Sequence, residues 1–163
     1  MISRVVLSSS LIRPGDTDPY AANDGVSAVT TDAHFTFSDA TYGGPTTGTI
    51  DTIFLHSSAA VATKLACELW LFDTDFTSIA DNAAFAPSDA EMLTLIGIVD
   101  FAAASWKAGT VTAGAGGNAV VIAQPELDFV LPGTRAIYGQ LRATAAYTPV
   151  ASETFTVQLV ISR

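Results

Sequence analysis

Apolar and polar residues alternate with a period of two in several stretches of the chain. In residues 64–72, the apolar positions of one face are Leu65, Cys67, Leu69 and Leu71. Residues 155–162 alternate in the same way, with Phe155, Val157, Leu159 and Ile161 on one face. Such alternation is typical of a β-strand that buries one side. Both stretches are therefore predicted to be strands of a half-buried sheet.

Further short strands are predicted along the whole chain, at residues 4–9, 26–29, 34–37, 49–56, 95–101, 119–123, 127–131 and 135–143. Both faces of residues 49–56 are mostly apolar, which favours a central strand covered on both sides and paired with residues 64–72. The predicted fold class is therefore all-β: an antiparallel β-sandwich, jelly-roll-like, with about eight to ten short strands. A closed barrel is the alternative.

The length of 163 residues favours one domain, residues 1–163, with an N-terminal arm at residues 1–16 that can extend from it. Asn23-Asp24-Gly25 predicts a chain reversal, because these residues tolerate positive φ. Ser88 and Glu91 have the spacing of a helix N-cap and its reciprocal partner, which predicts a short helical turn. Residues 109–117 are rich in glycine and are predicted to form a flexible loop.

Charge narrows the range of partners. The chain has 7 Lys and Arg against 16 Asp and Glu, a formal net charge of -9. An acidic surface repels phosphate backbones, so we expect no binding to nucleic acid. No apolar run has the length of a membrane-spanning helix, and residues 1–16 are interpreted as a first strand rather than a signal peptide. The single cysteine, Cys67, is on an apolar face and is predicted to be a small buried hydrophobe.

Chemistry-bearing residues form no recognisable catalytic motif. His34 and His56 belong to no H-x-H or H-E-x-x-H pattern, and the sequence contains no G-x-S-x-G. Asp73, Asp75 and Asp81 could supply oxygen ligands to Ca²⁺, but an acidic tight turn explains the same residues. We therefore predict no catalytic residue, no cofactor site and no metal site, and we do not expect an enzyme.

Several aromatic side chains are predicted to be accessible. Trp70 and Phe72 lie on the face opposite Leu69 and Leu71, and Trp106 and Tyr138 are further candidates. Packing against another sheet explains each of them singly. A protein–protein contact explains them together, because aromatic residues and Arg are enriched at interfaces. A sugar-binding face is a third interpretation.

Three stretches, taken in order, resemble a known family. They are residues 17–26, TDPYAANDGV; residues 69–85, with LWLFD and IADNAAF; and residues 138–157, with YGQL, YTP and ETFTV. They are spread over most of the chain, from residue 17 to residue 157, and they are similar to blocks found in a family of small virion structural proteins of tailed bacteriophages.

The resemblance implies a capsid decoration (cement) protein on the outer surface of the head. Such proteins clamp neighbouring subunits of the major capsid protein after the head expands, and they commonly bind as trimers. This implies synthesis in the host cytoplasm and a final location in the virion. The motifs carry no catalytic residues.

The expected contacts with the shell or with other copies are Arg4, Arg13, Trp70, Phe72, Trp106, Tyr138 and Arg142. Two alternatives remain open: a tail or neck protein of the same β-sandwich type, and a carbohydrate-binding module that uses a concave aromatic face. A small glycan hydrolase is the least favoured.

Overall fold

The protein is built from short antiparallel strands, as the alternating pattern predicts. The computed structural model describes residues 4–28, 34–38, 40, 46–59, 63–108, 119–133 and 135–163. Its elements in chain order are β1 (Arg4–Ile12), β2 (Gly25–Val26), β3 (Phe35–Phe37), β4 (Thr47–Ser57), β5 (Cys67–Phe72), α1 (Asp89–Met92), β6 (Leu95–Phe101), a 3₁₀ turn (Ala103–Ser105), β7 (Lys107–Ala108), β8 (Ala119–Ala123), β9 (Leu127–Val130), β10 (Ile137–Ala143) and β11 (Thr154–Ser162). The glycine-rich residues 109–117 and the end of the strand predicted at 26–29 lie outside the described residues.

The strands form two sheets with jelly-roll topology. The first sheet has the order β1-β11-β4-β8-β7, with β9 also beside β4, and the second has the order β2-β10-β5-β6, with β3 also beside β10. The pairs are nested along the chain: β1 with β11, β2 and β3 with β10, β4 with β8 and β9, and β5 with β6. This nesting of antiparallel pairs in two packed sheets is that of a jelly roll. The predicted all-β sandwich is confirmed, and the described strands form two separate sheets instead of a closed barrel.

The two central strands do not pair with each other, contrary to the prediction. Strand β4 lies between β11 and β8 in the first sheet, whereas β5 lies between β10 and β6 in the second. Their apolar residues meet across the core instead of along a ladder. The error arises because neighbours in sequence are only often, not always, neighbours in a sheet.

The core fills the space between the sheets with the side chains that the alternation assigns to the inner faces. Leu69 and Leu71 of β5 and Val157, Leu159 and Ile161 of β11 are all 0% exposed. Cys67 is 1% exposed, so its prediction as a buried hydrophobe is confirmed. Burial raises the pKa of the Cys67 thiol well above its usual value, which keeps the group neutral and unreactive.

Residues 4–12 form a full strand of the first sheet rather than an arm. Strand β1 pairs with β11 in register from Arg4 opposite Ser162 to Ile12 opposite Thr154. The next residue, Arg13, donates its backbone N–H to the carbonyl of Glu153 at 3.0 Å. The segment expected to extend from the domain is therefore held in it from residue 4 onwards.

The predicted helical turn is confirmed at α1. Ser88 is the N-cap: its hydroxyl accepts from the backbone N–H of Glu91 at 3.3 Å, and its own N–H donates to the Glu91 carboxylate at 2.7 Å. This reciprocal pair is the capping box that the spacing indicates. No helix within the described ranges is long and apolar enough to cross a membrane.

Candidate functional site

The three stretches that carry the family resemblance meet at one end of the sandwich. The hydroxyl of Tyr20, from the first stretch, donates to Asp81 Oδ1 of the second at 2.5 Å. The ring of Tyr20 stacks on Tyr147, from the third, with centroids 6.5 Å apart. Tyr147 in turn donates to the buried carboxylate of Glu153 at 2.8 Å. These motif residues join distant loops, so their role in this structure is to hold the fold together.

Arg13 belongs to this buried network and not to the surface. Its side chain is 0% exposed, and its Nη2 lies 3.0 Å from Asp81 Oδ2. Its Nε donates to the hydroxyl of Tyr20. Burial, followed by the hydrogen bond to Asp81, raises the pKa of Tyr20 above its usual value, so the phenol stays protonated. The prediction that Arg13 contacts a partner is wrong for this structure, because its guanidinium is enclosed by its own chain.

Trp70 and Phe72 are also covered by their own chain. Residues 73–94 cross the outer face of the second sheet and place Phe76 and Phe85 against these two side chains. Trp70 is 9% exposed and Phe72 is 0% exposed. The rings of Trp70 and Phe85 lie 5.1 Å apart. The expectation of an accessible aromatic face is therefore wrong for both residues.

Arg142 lies at the border of this covered region. Its Nη2 is 2.6 Å from Glu68 Oε2, and its side chain is 24% exposed. The indole of Trp70 donates to the same oxygen at 2.8 Å, and the guanidinium lies 5.2 Å from the centre of the Trp70 ring. Glu68 and Arg142 are opposite each other on β5 and β10, so the pair holds the Trp70 side chain in place. Part of the Arg142 side chain remains accessible to a partner.

The remaining expected contacts lie far from one another in the fold. The indole of Trp106 donates to the carbonyl of Leu65 at 2.8 Å and the residue is 8% exposed, so the prediction of accessibility is wrong there too. Arg4 has a side chain that is 72% exposed, 3.6 Å from Asp51. Tyr138 is half-buried, with its ring edge-on to His34. The structure thus leaves surface on Arg4, Tyr138 and Arg142, and brings only Tyr138 and Arg142 onto one strand.

The three aspartates considered for Ca²⁺ have separate partners. Asp73 accepts from the Thr74 hydroxyl at 2.8 Å, Asp75 lies 3.2 Å from His34, and Asp81 pairs with Arg13. In the part of the chain that the structure describes, no group of three His, Cys, Asp or Glu residues is placed to hold a metal ion. Only Asp73 therefore has a partner adjacent in sequence, whereas Asp75 and Asp81 connect this segment to distant parts of the chain.

A polar cavity of about 760 Å³ opens beside β3 and β10. Its lining residues are His34, Thr36, Asp75, Phe76, Thr77, Glu91 and Tyr138. The His34 ring packs 4.8 Å from Phe76 and 5.5 Å from Tyr138. Both Glu91 oxygens accept hydrogen bonds from backbone N–H groups, of Thr77 and of Ser88, so this carboxylate is occupied. The cavity combines aromatic rings with carboxylates, a combination that suits hydroxyl-rich ligands.

The outer face of the first sheet is open to solvent and contains no Asp, Glu, Lys or Arg at its centre. We call it the uncharged face and define it by Val6, Ser8, Ser10, Thr52, Phe54, His56, Val120, Ile122, Thr156, Gln158 and Val160. Its middle row runs across four strands and consists of Ser8, Gln158, Phe54 and Ile122. None of these side chains is buried.

The uncharged face has a mixed apolar and polar character. Ile122 is 55% exposed and Val6 is 59% exposed. Phe54 stacks on His56 with centroids 6.4 Å apart, and the His56 ring lies 3.4 Å from the side-chain oxygen of Gln158. A flat sheet surface of this composition is typical of a protein–protein contact.

Charge is distributed unevenly between the two sides of the sandwich. Seven of the described carboxylates lie on the second sheet or on residues 73–94, which cover it: Glu68, Asp73, Asp75, Asp81, Asp89, Glu91 and Asp100. Five others lie in the connections between strands: Asp16, Asp18, Asp24, Glu126 and Glu153. At the uncharged face, Asp51 and Asp128 lie at one end, where Asp51 pairs with Arg4 and Asp128 accepts from Thr49. An acidic protein therefore presents one broad surface from which a partner is not repelled by carboxylates.

Sequence reasoning missed the uncharged face, although a signal was present. Ile53 and Leu55 of β4 are 0% exposed, whereas Phe54 and His56 point away from the core and remain half-buried. The apolar character of both faces of β4 was interpreted as burial on both sides. The structure shows a central strand with one covered face, and the apolar residues on its other face are surface residues.

No model of a known protein family matches the chain, and no curated protein matches it significantly.

Proposed function

We propose that this chain is a structural virion protein of a tailed bacteriophage, most specifically a capsid decoration protein. It binds the outer surface of the expanded head and stabilises contacts between subunits of the major capsid protein. The observation that carries the proposal is the uncharged face, an open sheet surface on a protein with a net charge of -9. The resemblance of the motif stretches supports the virion assignment, and the jelly roll is a fold common in viral capsid domains.

The proposal assigns the shell contact to the uncharged face and not to the buried aromatics. Phe54, His56, Gln158 and Ile122 replace Trp70, Phe72, Trp106 and Arg13 as proposed contacts. A sheet face of this kind is rigid, because each strand is hydrogen-bonded on both sides except at the edge. Little conformational entropy is then lost on binding, which helps a modest interface to hold.

A decoration protein acts through many copies. The proteins of the family that it resembles commonly associate into trimers. When copies are joined in an oligomer, the effective concentration of each weak contact rises, and the overall affinity for the shell increases. The function requires no catalytic step, and the proposal names no cofactor. Its setting is the outer capsid surface, reached after synthesis in the host cytoplasm.

The test is co-sedimentation of the purified protein with heads of the phage that encodes it, before and after expansion. We expect saturable binding to expanded heads. Ile122→Asp places a carboxylate in the middle of the uncharged face and should abolish this binding. Ile98→Asp is the matched control, because Ile98 is also an outward isoleucine on a strand, 40% exposed, but on the second sheet.

Two results would contradict the proposal. Absence of binding to either form of head would exclude decoration, and binding to isolated tails instead would favour a tail or neck protein. Equal loss of binding in Ile122→Asp and Ile98→Asp would exclude the uncharged face as the contact.

A second candidate function, carbohydrate binding, is favoured by the cavity beside Tyr138. Aromatic rings next to carboxylates are suited to sugar hydroxyls and ring faces. Glycan-array binding that is lost in Tyr138→Ala and kept in Ile122→Asp would support this function over decoration.

A further inference from the structure

Strand β1 is a long, exposed edge of the first sheet. Its nine residues pair with β11 on one side, and no described strand pairs with its other side. The backbone N–H and C=O groups along such an edge are free to pair with another chain. Strand β3 of the second sheet lies beside β1, and its Thr36 N–H donates to the Ser9 hydroxyl at 3.1 Å.

This edge lacks the features that usually prevent edge-to-edge pairing. The sequence of β1, RVVLSSSLI, contains no Pro and no Lys, and its one charge, Arg4, is at the first residue. Its ladder with β11 has no register shift. The long edge strand of the second sheet, β6, also contains no Pro and no Lys, but it differs in two respects: its ladder is irregular near Phe72 and it carries an outward Asp100. Edges are normally blocked by charges, prolines or bulges.

The core is also incompletely covered beside β1. Val5 and Leu7 point inward and pack on the core but remain half-buried. On the neighbouring strand β11, Val157 and Leu159 are 0% exposed. An added strand next to β1 would cover the exposed sides of Val5 and Leu7, which gives such pairing a favourable apolar contribution.

The charges at the two ends of β1 favour a second copy of the same chain as the added strand. Arg4 stands at the beginning, with a side chain that is 72% exposed. Asp16 and Asp18 follow the end of the strand and are exposed. In an antiparallel arrangement of two β1 strands, each Arg4, which lies 3.6 Å from Asp51 of its own chain, comes to the end of the other copy's strand that Asp16 and Asp18 follow. Strand β1 itself contains no carboxylate, so two chains that each carry a net charge of -9 meet where repulsion is least.

We propose that two copies of this chain pair edge to edge through β1, antiparallel about a two-fold axis near Ser8. Ser8 then lies opposite Ser8 of the other copy, Val6 opposite Ser10, and Arg4 opposite Ile12. The two first sheets become one continuous sheet, and the two uncharged faces become one surface of twice the width. This contact uses the same strand on both copies and closes on itself, so it differs from the three-fold association that the resemblance implies. It does not depend on the proposed decoration function.

A charge-swap experiment tests the pairing in solution. The mass of the protein is measured by light scattering at the highest soluble concentration, for the unchanged chain and for Ser8→Lys and Ser8→Glu. Ser8 is exposed, so both variants should fold. We expect twice the chain mass of 16.9 kDa for the unchanged protein and the single chain mass for each variant, because like charges directly opposite each other are unfavourable. An equimolar mixture of the two variants should recover the dimer.

Three outcomes would overturn the proposal. They are a monomeric unchanged protein, a trimer, and a dimer that persists unaltered in both Ser8→Lys and Ser8→Glu. Capsid binding is not part of the readout, so failure here is distinguishable from failure of the decoration function.

Disulfide cross-linking tests the register with a matched control. Ser8→Cys should give a covalent dimer under mild oxidation, because the two positions face each other across the axis. Gln158 lies opposite Ser8 one strand further in. Two Gln158→Cys residues would be about 14 Å apart, three strand spacings, which exceeds the reach of a disulfide. The native Cys67 is buried and does not compete. Cross-linking of Gln158→Cys but not of Ser8→Cys would exclude edge pairing.

Discussion

The hydroxyl of Tyr20 donates a 2.5 Å hydrogen bond to the carboxylate of Asp81, which lies 61 residues further along the chain. The same carboxylate pairs with the buried Arg13 and accepts the backbone N–H of Ser27 at 2.9 Å. One aspartate therefore joins the end of β1, the loop before β2 and residues 73–94, which cover the second sheet. This structural role of Asp81 explains why the motif around it, which resembles the phage family, contains an aspartate at this position.

Replacement of Asp81 by Asn should be strongly destabilising. Arg13, with a side chain that is 0% exposed, would lose its nearer and more buried carboxylate and keep only the exposed Asp16 at 3.4 Å. We expect the free energy of unfolding to fall by about 3–5 kcal/mol, measured by urea denaturation. Asp18→Asn is the control, because Asp18 is exposed and should change stability by less than about 0.5 kcal/mol. Equal stability of the two variants would show that Arg13 does not depend on Asp81.

Adjacent residues of β11 should differ sharply in their contribution to stability. Leu159 is 0% exposed between the sheets, and Leu159→Ala should lower the free energy of unfolding by about 2–5 kcal/mol. Val160 points outward, and Val160→Ala should lower it by less than about 1 kcal/mol. Urea denaturation of both variants checks the assignment of faces, which would be wrong if Val160→Ala were the more damaging.

Alkaline pH should unfold the protein because of its buried tyrosines. Burial, followed by the hydrogen bond to Asp81, raises the pKa of Tyr20; burial, followed by the charge of Glu153, raises the pKa of Tyr147. The folded state therefore retains protons that the unfolded state releases above the ordinary tyrosine pKa of about 10. Stability is complete below that pH and falls above it, by about 1.4 kcal/mol per pH unit for each tyrosine.

Denaturation in urea between pH 9 and 11 measures this slope. The Tyr20→Phe variant should show a shallower decline than the unchanged protein, since one of the two groups is removed. An identical slope in both proteins would mean that Tyr20 ionises within the folded state.

Tryptophan fluorescence should report two buried indoles. Trp70 lies under Phe85 and Trp106 is tethered to the carbonyl of Leu65. In Trp106→Phe, which leaves Trp70 alone, we expect blue-shifted emission and slow quenching by acrylamide, and we expect the same for Trp106 in Trp70→Phe. If the Trp106→Phe variant emitted at the wavelength of free tryptophan, Trp70 would be exposed to solvent, and the predicted accessible aromatic face would be supported.

The sequence predicted the strands well and the exposed surface poorly. Alternation identified β5 and β11 and the inward positions of each, and the capping pair Ser88 and Glu91 located α1. The same alternation placed Trp70 and Phe72 on the face away from the core, which is correct. The prediction that this face is exposed to solvent is wrong, because residues 73–94 fold back over it. No local pattern in those residues specifies which surface they cover.

The prediction that Arg13 contacts a partner is wrong for a similar reason. An arginine next to Pro14 and Gly15 has the surroundings of a surface turn, and only its meeting with Tyr20 and Asp81 makes burial favourable. Conversely, the sequence predicts Phe54 to be covered, because residues 49–56 are apolar on both faces, and it predicts nothing for Ile122, although the outward direction of both follows from the period of their strands.

The sequence by itself determined the fold class, the inner faces of β5 and β11 and the acidic character of the protein. These properties follow from side-chain direction along a strand and from composition, and both are local or additive. The tertiary structure alone decided which outer face is covered, which edge is open and which charges are buried together. Those properties depend on contacts between segments distant in sequence, and the free energy of such contacts is set by the three-dimensional arrangement and not by any single stretch.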